Sequence, residues 1–286
     1  MAICAVGLSL AAVLPASQAW EPGSPAGAGG AARTQEPQPP REPSVGVLAD
    51  PCVEDPDTWQ GNPDAWRALD WGQRCRYWRE NRRLPSASPA LVVFIGDSIT
   101  EAWKEADPQL FSVGTLNRGI GGQSSDQMLV RFRSDVLELE PRVVHIMAGI
   151  NDVAGNTGPT SLAFMQGNIK SMVEEALLHH IRVVIASIPP AAHIPWRAAI
   201  EQPALTIGDM NRWLRGYARC ERVEFADYAA VLGDGRGGIK PELSSDGVHP
   251  TPAGYALMTP LARAAIARAL AKPVPEGRPR TDCGAE

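Results

Sequence analysis

The strongest constraint on the fold is an alternation of short apolar runs with longer stretches of helical periodicity. The first run, residues 91–95, holds five uninterrupted apolar residues, three of them β-branched, as expected for a strand buried on both faces of a parallel sheet. Further strands are predicted at residues 113–117, 143–147, 183–188 and 223–225. Because helical stretches separate the strands, the pattern predicts right-handed βαβ crossovers and a five-stranded parallel sheet with helices on both faces.

The helical stretches fall between and after these strands. They are predicted over residues 99–103, 160–179, 205–218 and 252–271, with a further amphipathic stretch that ends before Pro141. No internal repeat or second domain boundary is visible in this part of the chain. We therefore expect one α/β domain over residues 91–272, followed by a flexible tail over residues 273–286.

The first residues have the features of an export leader. An apolar run followed by small residues up to Ala19 predicts a signal peptide over residues 1–19, although the usual basic start is missing. The run is too short to span a bilayer, so stable membrane insertion is not expected. Residues 20–48 are rich in Pro, Gly, Ala and Glu and predict a disordered linker. Secretion or a periplasmic location is expected, with a cytoplasmic protein as the alternative.

A tryptophan-rich segment precedes the α/β domain. Residues 49–90 predict a helical extension, with one helix over residues 63–82 capped by Asn62 and opened by Pro63. Loss of Cys4 with the leader leaves an even number of cysteines, compatible with disulfides in an oxidising compartment. They are Cys52, Cys75, Cys220 and Cys283. The favoured pair is Cys52–Cys75, free thiols are the alternative, and none of the four has the spacing of a metal site.

Four polar signatures are predicted to meet on one rim of the sheet. They are Gly96-Asp97-Ser98, Gly121-Gly122, Gly149-Ile150-Asn151-Asp152 and Asp246-Gly247-Val248-His249-Pro250. Acyl transfer from an ester needs a nucleophile, a base, a carboxylate that orients the base, and donors for the oxyanion. Ser98 at a strand-to-helix turn is the candidate nucleophile and His249 the candidate base, with Asp246 three residues before it as the orienting acid.

Donors for the oxyanion are available on the same rim. The Asn151 side chain and the backbone N–H groups of Ser98 and Gly122 are the candidates. Ser98 could instead be a helix N-cap, and the Asp246–His249 pair could be half of a metal site. The second alternative is disfavoured because no third ligand follows in sequence.

The remaining histidines have less specific surroundings. His145 lies within an apolar strand and is expected in the core, whereas His179 and His180 close a helix and are expected in solvent. His193 follows the fourth strand in a loop and could approach the rim. His193 lacks a nearby acid.

With its four blocks in order, the sequence resembles the SGNH subgroup of the GDSL esterase/lipase family. Within this family, the Asn-x-Gly-Ile-Gly-Gly block at residues 117–122 is most similar to that of the platelet-activating-factor acetylhydrolase-like and lysophospholipase-L1-like bacterial branch. The resemblance covers about residues 91–270. It implies a flavodoxin-like three-layer fold, no metal and no other cofactor. It also implies a triad of Ser98, Asp246 and His249, with Ser98, Gly122 and Asn151 as oxyanion donors.

Two positions depart from the family pattern. Ile99 stands where the family name has Leu, a volume-conserving exchange. Gln123 stands where the branch often has Asp or Glu, and this exchange is expected to remove a charge near the mouth of the site.

These features predict an exported serine esterase that hydrolyses short acyl esters, acetyl above all, on small molecules or carbohydrates. Asp97, Trp103 and Trp196 are candidate substrate-binding residues, since the two indoles could narrow an acyl pocket or stack on a sugar; ordinary packing is the alternative for both. A formal net charge of −5 argues against a nucleic-acid partner, because phosphate binding needs a concentrated positive surface. The alternatives are a lysophospholipase or thioesterase on longer chains, an acyltransferase to sugars, and a non-catalytic glycan-binding module.

Overall fold

The architecture is that of a doubly wound α/β protein. A computed structural model describes residues 70–84 and 92–277, together with Cys52 and Cys283. The strands of its sheet are β1 (Val92–Gly96), β2 (Thr115–Gly119), β3 (Val143–Met147), β4 (Arg182–Ala186) and β5 (Glu224–Ala226). All neighbouring strands are parallel, in the order β2-β1-β3-β4-β5. This is the flavodoxin-like order, so the predicted fold class is confirmed, and its topological switch point lies beside β1.

Helices cover both faces of the sheet and give a three-layer sandwich. They are α1 (Trp78–Arg83), α2 (Ser98–Ala106), α3 (Ser125–Asp135), α4 (Ile150–Val153), α5 (Leu162–Leu178), α6 (Pro203–Glu221), α7 (Tyr228–Leu232) and α8 (Pro252–Ala271). The α2, α7 and α8 helices pack on one face, and α3, α5 and α6 pack on the other. The predicted third strand and last helix have the observed bounds.

Some element ends differ from the prediction for local reasons. The second strand starts two residues later than expected, because Gly114 has a left-handed backbone with φ of 84°. The α3 helix ends at Asp135, well before Pro141, and gives way to a 3₁₀ turn over Leu137–Leu139. That turn closes at Glu140, whose φ is 48°. A positive φ at a single residue does not show in the spacing of apolar residues. The sequence therefore predicted these two elements correctly but misplaced the start of β2 and the end of α3.

The core on the α2 face is aromatic and includes a residue expected at the rim. Trp103 is completely buried and its ring packs edge-on against Phe94 and Tyr228. Its indole Nε1 donates to the Thr259 hydroxyl at 3.1 Å. The expectation that Trp103 binds substrate is therefore wrong, because this position on α2 faces the sheet.

His145 also lies in this core. Its Nε2 lies 2.7 Å from the Tyr228 hydroxyl, and its ring stacks on Phe94 with centroids 4.4 Å apart. Complete burial lowers the pKa of His145 to about 3, so the side chain is neutral. The core assignment from sequence is confirmed.

The tryptophan-rich segment is less helical than predicted. Residues 70–77 form turns and only α1 is helical, while residues 63–69 of the expected helix lie outside the described part of the chain. The Asp70 carboxylate accepts the backbone N–H groups of Arg74 and Cys75, and Gln73 has a φ of 50°. Side-chain capping of this kind competes with helix formation. The leader at residues 1–19 and the linker at 20–48 also lie outside the described residues.

Two disulfides join the described cysteines. Cys52 pairs with Cys75, with Cα atoms 5.3 Å apart, which confirms the favoured pairing. Cys220 on α6 pairs with Cys283, with Cα atoms 5.6 Å apart. Because Cys283 is also buried, the expectation of a flexible tail is wrong at that residue. None of the helices within residues 70–84 and 92–277 is both long enough and apolar enough to cross a bilayer.

Candidate active site

The carboxyl end of β1 delivers Ser98 to the edge of the sheet. Gly96 ends the strand, and a Cβ built on it would lie 2.0 Å from the Thr100 hydroxyl and 2.9 Å from the Met147 carbonyl. Only glycine fits this close approach, which lets the chain turn directly into α2. Ser98 is the first residue of that helix, so its side chain stands at a strand-to-helix turn.

Asp97 serves as the N-cap of α2. One of its carboxylate oxygens accepts the Ile99 N–H at 2.9 Å, and the residue is 2% exposed. Burial raises the pKa of Asp97 to about 7. The expectation that Asp97 binds substrate is wrong, since its carboxylate is enclosed and engaged by the helix. The N-cap role expected as the alternative for Ser98 thus belongs to its neighbour.

Ser98, His249 and Asp246 form one hydrogen-bonded series. The Ser98 Oγ lies 2.9 Å from His249 Nε2, and His249 Nδ1 lies 2.6 Å from Asp246 Oδ2. Partial burial raises the pKa of Asp246, but hydrogen bonds from the His249 side chain and from the backbone N–H groups of His249 and Val248 outweigh it and bring the pKa to about 2. An ionised carboxylate can only accept, so Nδ1 donates to it and Nε2 is left to accept the serine proton.

A short loop folds around its own polar groups to hold the acid and the base. Asp246 Oδ1 accepts the backbone N–H groups of Val248 and His249 at 2.9 and 2.8 Å. The Ser244 hydroxyl donates to the His249 carbonyl at 2.8 Å and accepts the Gly247 N–H at 3.0 Å. This loop does not follow β5 directly, because α7 and a 3₁₀ turn over Pro241–Leu243 intervene. Ser244 was not singled out from the sequence.

The glycine-rich turn after β2 lies beside the serine. A Cβ built on Gly121 would be 3.8 Å from the Ser98 Cβ. Gly122, with φ of 77°, comes next, and Asn151 at the start of α4 donates through Nδ2 to the Gln123 carbonyl at 3.0 Å. The residues predicted as oxyanion donors therefore belong to one contiguous cluster at the carboxyl edges of β1, β2 and β3.

Gln123 does not lie at the mouth of the site. It is completely buried, its Nε2 donates to the Gly72 carbonyl at 3.1 Å, and its Oε1 accepts from Arg131 Nε at 2.6 Å. Arg131 is buried as well and also donates to the Gly96 carbonyl at 3.1 Å. The expectation that Gln123 alters the charge at the mouth is wrong; the side chain fastens the turn to the N-terminal segment and to α3.

Trp196 forms a wall next to the histidine. It lies on a 3₁₀ turn after β4, is 40% exposed, and has its ring centroid 5.8 Å from that of His249 at an interplanar angle of 36°. Its Nε1 donates to Asn156 Oδ1 at 3.0 Å. Of the two tryptophans singled out from the sequence, the structure brings only this one to the rim.

His193, in contrast, packs on the acid–base loop rather than into the series. A Cβ on Gly247 would lie 2.8 Å from its Cε1. Within the described residues no group of three His, Cys, Asp or Glu side chains could hold a metal ion.

Comparison with known proteins identifies similar chains. The model of the GDSL-like lipase/acylhydrolase family matches residues 94–257. A GDSL-like lipase from Bacteroides thetaiotaomicron is 39% identical, with a TM-score of 0.67; the alignment covers 70% of this chain and 99% of that one. A solved protein from Bacteroides fragilis is 41% identical, with a TM-score of 0.68 and coverage of 70% and 98%. The uncharacterized lipoprotein YqeF of Bacillus subtilis is 34% identical over 79 residues, 26% of this chain and only 32% of that lipoprotein.

Proposed function

We propose that this chain, which belongs to the GDSL-like lipase/acylhydrolase family and is an ester hydrolase, is an exported serine esterase. It transfers short acyl groups, acetyl above all, from esters to water through Ser98. The observation that carries this proposal is the series from the Ser98 Oγ through His249 to Asp246. A base poised on a serine hydroxyl and oriented by an ionised acid is the arrangement that activates serine as a nucleophile.

The reaction then proceeds in two halves. His249 Nε2 takes the Ser98 proton as Oγ bonds to the ester carbonyl carbon, and the carbonyl electron pair moves onto oxygen. The backbone N–H groups of Ser98 and Gly122 and the Asn151 amide stabilise that oxyanion. When the oxyanion collapses, the alcohol leaves with the proton from Nε2. Water then attacks the acyl-Ser98 ester with His249 Nε2 taking its proton. When this second intermediate collapses, the bond to Ser98 Oγ breaks, Oγ recovers the proton from Nε2, and the free acid leaves.

Trp196 supports the preference for short acyl groups and the choice of a carbohydrate ester. Its half-exposed indole beside the His249 ring occupies space next to the catalytic base. An exposed aromatic face beside a catalytic base is also a surface on which a sugar ring can stack. A panel of acetylated glycans, lysophospholipids and p-nitrophenyl esters of increasing length tests both points. We expect the highest kcat/KM for acetyl esters, and a kcat/KM that climbs beyond about eight carbons would contradict the acyl preference.

A second candidate, a lysophospholipase or thioesterase for longer chains, has one observation in its favour. Phe164 and Leu205 are 69% and 64% exposed, and both lie in the first turns of helices, α5 and α6, that begin at the carboxyl edge of the sheet. Replacement of both residues by Ser separates the two candidates. An enzyme for short esters keeps its kcat/KM on acetyl esters, whereas an enzyme for long chains loses affinity for lysophospholipids.

The two disulfides support a location outside the cytoplasm. Disulfides persist in oxidising compartments and are rare elsewhere. The leader-like residues 1–19 and the lipoprotein relative agree with this location. Cell fractionation of the full chain and of a variant lacking residues 1–19 tests it. We expect the full chain outside the cytoplasm with all four remaining cysteines protected from alkylation, and a reduced protein in the cytoplasm would contradict export.

A further inference from the structure

Asn156 contacts the two proposed oxyanion donors other than the Ser98 N–H, namely Asn151 and Gly122. Its Nδ2 donates to Asn151 Oδ1 at 2.7 Å and to the Gly122 carbonyl at 3.2 Å. We propose that Asn156 is a positioning residue, which holds the Asn151 amide and the Gly122 backbone in the orientation that stabilises the oxyanion. This inference rests on the proposed function, because it assigns Asn156 a task in the same reaction.

The orientation of the Asn151 amide depends on Asn156. As it stands, Asn151 Oδ1 accepts from Asn156 while Asn151 Nδ2 donates to the Gln123 carbonyl at 3.0 Å. An amide nitrogen carries two N–H groups, so one remains for the substrate. If the Asn151 amide turned over, its nitrogen would face the Asn156 nitrogen and its oxygen would face the Gln123 carbonyl. Both contacts would be repulsive, which selects the orientation with the nitrogen available.

Trp196 in turn fixes Asn156. The indole Nε1 donates to Asn156 Oδ1 at 3.0 Å, so the Asn156 oxygen faces the indole and its nitrogen must face Asn151 and Gly122. The same indole lies beside the His249 ring. The Asn156 amide therefore connects Trp196, beside the base, to Asn151 and Gly122. Such a network holds its members more firmly than separate pairs would.

A double-mutant cycle tests whether Asn156 acts through Asn151. With p-nitrophenyl acetate, Asn151→Ala should lower kcat by about 10²- to 10³-fold, the usual cost of one oxyanion donor. Asn156→Ala should lower kcat by about 10-fold or more while KM changes by less than about threefold, since binding in the ground state is spared. In the Asn151→Ala background, Asn156→Ala should add a clearly smaller loss than it causes in the wild type, because the part of its effect that acts through Asn151 is gone and only the part through Gly122 remains.

Two further variants make the test specific. Asn156→Asp keeps an acceptor for Trp196 but turns a carboxylate toward Asn151 Oδ1, so kcat should fall at least as far as in Asn156→Ala. Thr160→Val is the matched control: it removes a hydroxyl at an exposed position four residues further along the chain, outside both loops of the site. Its kcat should stay within about twofold of the wild type.

Three results would overturn the positioning role: an unchanged kcat in Asn156→Ala, a loss in KM alone, or losses that multiply fully in the double variant. If circular dichroism shows that Asn156→Ala does not fold, the same cycle with Asn156→Asp decides. Ser98→Ala separates the two proposals. If that variant still hydrolyses esters, the proposed function fails; if it is inactive while Asn156→Ala is as active as the wild type, only the positioning role fails.

Discussion

Two loops build the site, and they are held in different ways. The acid–base loop, residues 244–250, is partly exposed and stabilised by hydrogen bonds among its own residues, such as those from Val248 and His249 to Asp246. The oxyanion loop, residues 119–124, is buried except at Gly121 and Gly122 and is held by distant parts of the chain. Its carbonyl at Gly119 accepts from the Tyr77 hydroxyl, and its Gln123 bonds Gly72. The first loop is a local structure, whereas the second depends on the tertiary fold.

Because of this difference, we expect changes in the two loops to affect catalysis and stability differently. Changes in the acid–base loop remove a reacting group while the rest of the fold loses little. Changes behind the oxyanion loop leave every reacting group in place but remove the contacts that position them. Variants of the two loops should therefore differ in whether loss of activity is accompanied by loss of stability.

The largest effect is expected from His249→Ala. Without its base, Ser98 is a weak nucleophile, and kcat/KM for p-nitrophenyl acetate should fall by about 10⁴-fold or more. The histidine is partly exposed and its loop is held by Ser244 and Asp246, so the thermal midpoint by circular dichroism should change by only about 2 °C. An unfolded variant would make His249 structural and would remove the distinction between the loops.

Gln123→Ala should lower stability and activity together. It leaves Arg131 Nε and the Gly72 carbonyl without their partner inside the protein, which should reduce the free energy of unfolding by about 1–3 kcal/mol. Displacement of the loop should also reduce kcat, by less than the loss of a donor itself. Urea unfolding and steady-state kinetics measure the two effects. Gln109→Ala, at an exposed position, is the matched control and should change neither.

The two disulfides provide a smaller contrast. Replacing either pair with serine should lower stability by about 2–4 kcal/mol. Only Cys52–Cys75 anchors the segment that contacts the oxyanion loop, so the Cys52→Ser/Cys75→Ser variant should also lose a few-fold in kcat. The Cys220→Ser/Cys283→Ser variant should keep its kcat. Equal activity losses in both variants would argue that the N-terminal segment has no particular role in positioning the loop.

The smallest effect concerns the pH dependence of stability. Partial burial acts to raise the pKa of Asp246, but its hydrogen bonds lower it from 3.8 to about 2. A depressed pKa in the folded state contributes stability that is present above the unfolded value and is lost as pH falls through the folded one. The difference in unfolding free energy between the wild type and Asp246→Asn should thus shrink between about pH 5 and pH 2. Because Asp246 is partly exposed, the effect should be modest, and a difference that grows with acid would contradict this assignment.

Local sequence signals predicted the local parts of this molecule. The β1 run gave the position of Ser98, and the three-residue spacing of Asp246 and His249 allowed one loop to join them, because both depend on residues close in sequence. The burial of Trp103, Asp97 and Gln123 could not be read in this way, since it depends on which face of an element meets the sheet. Asn156 was missed because two of its three partners, Gly122 and Trp196, lie far from it in sequence, and its spacing of five residues from Asn151 is not a recognised motif.

The most direct test of the central claim is fluorophosphonate labelling of the folded protein, followed by mass spectrometry of the labelled peptide. A nucleophilic Ser98 activated by His249 should carry one adduct per chain in the wild type. The labelling rate should fall by about 10³-fold or more in His249→Ala, and Ser98→Ala should carry no adduct. A protein that hydrolyses p-nitrophenyl acetate without labelling at Ser98, or that labels equally well without His249, would contradict the account.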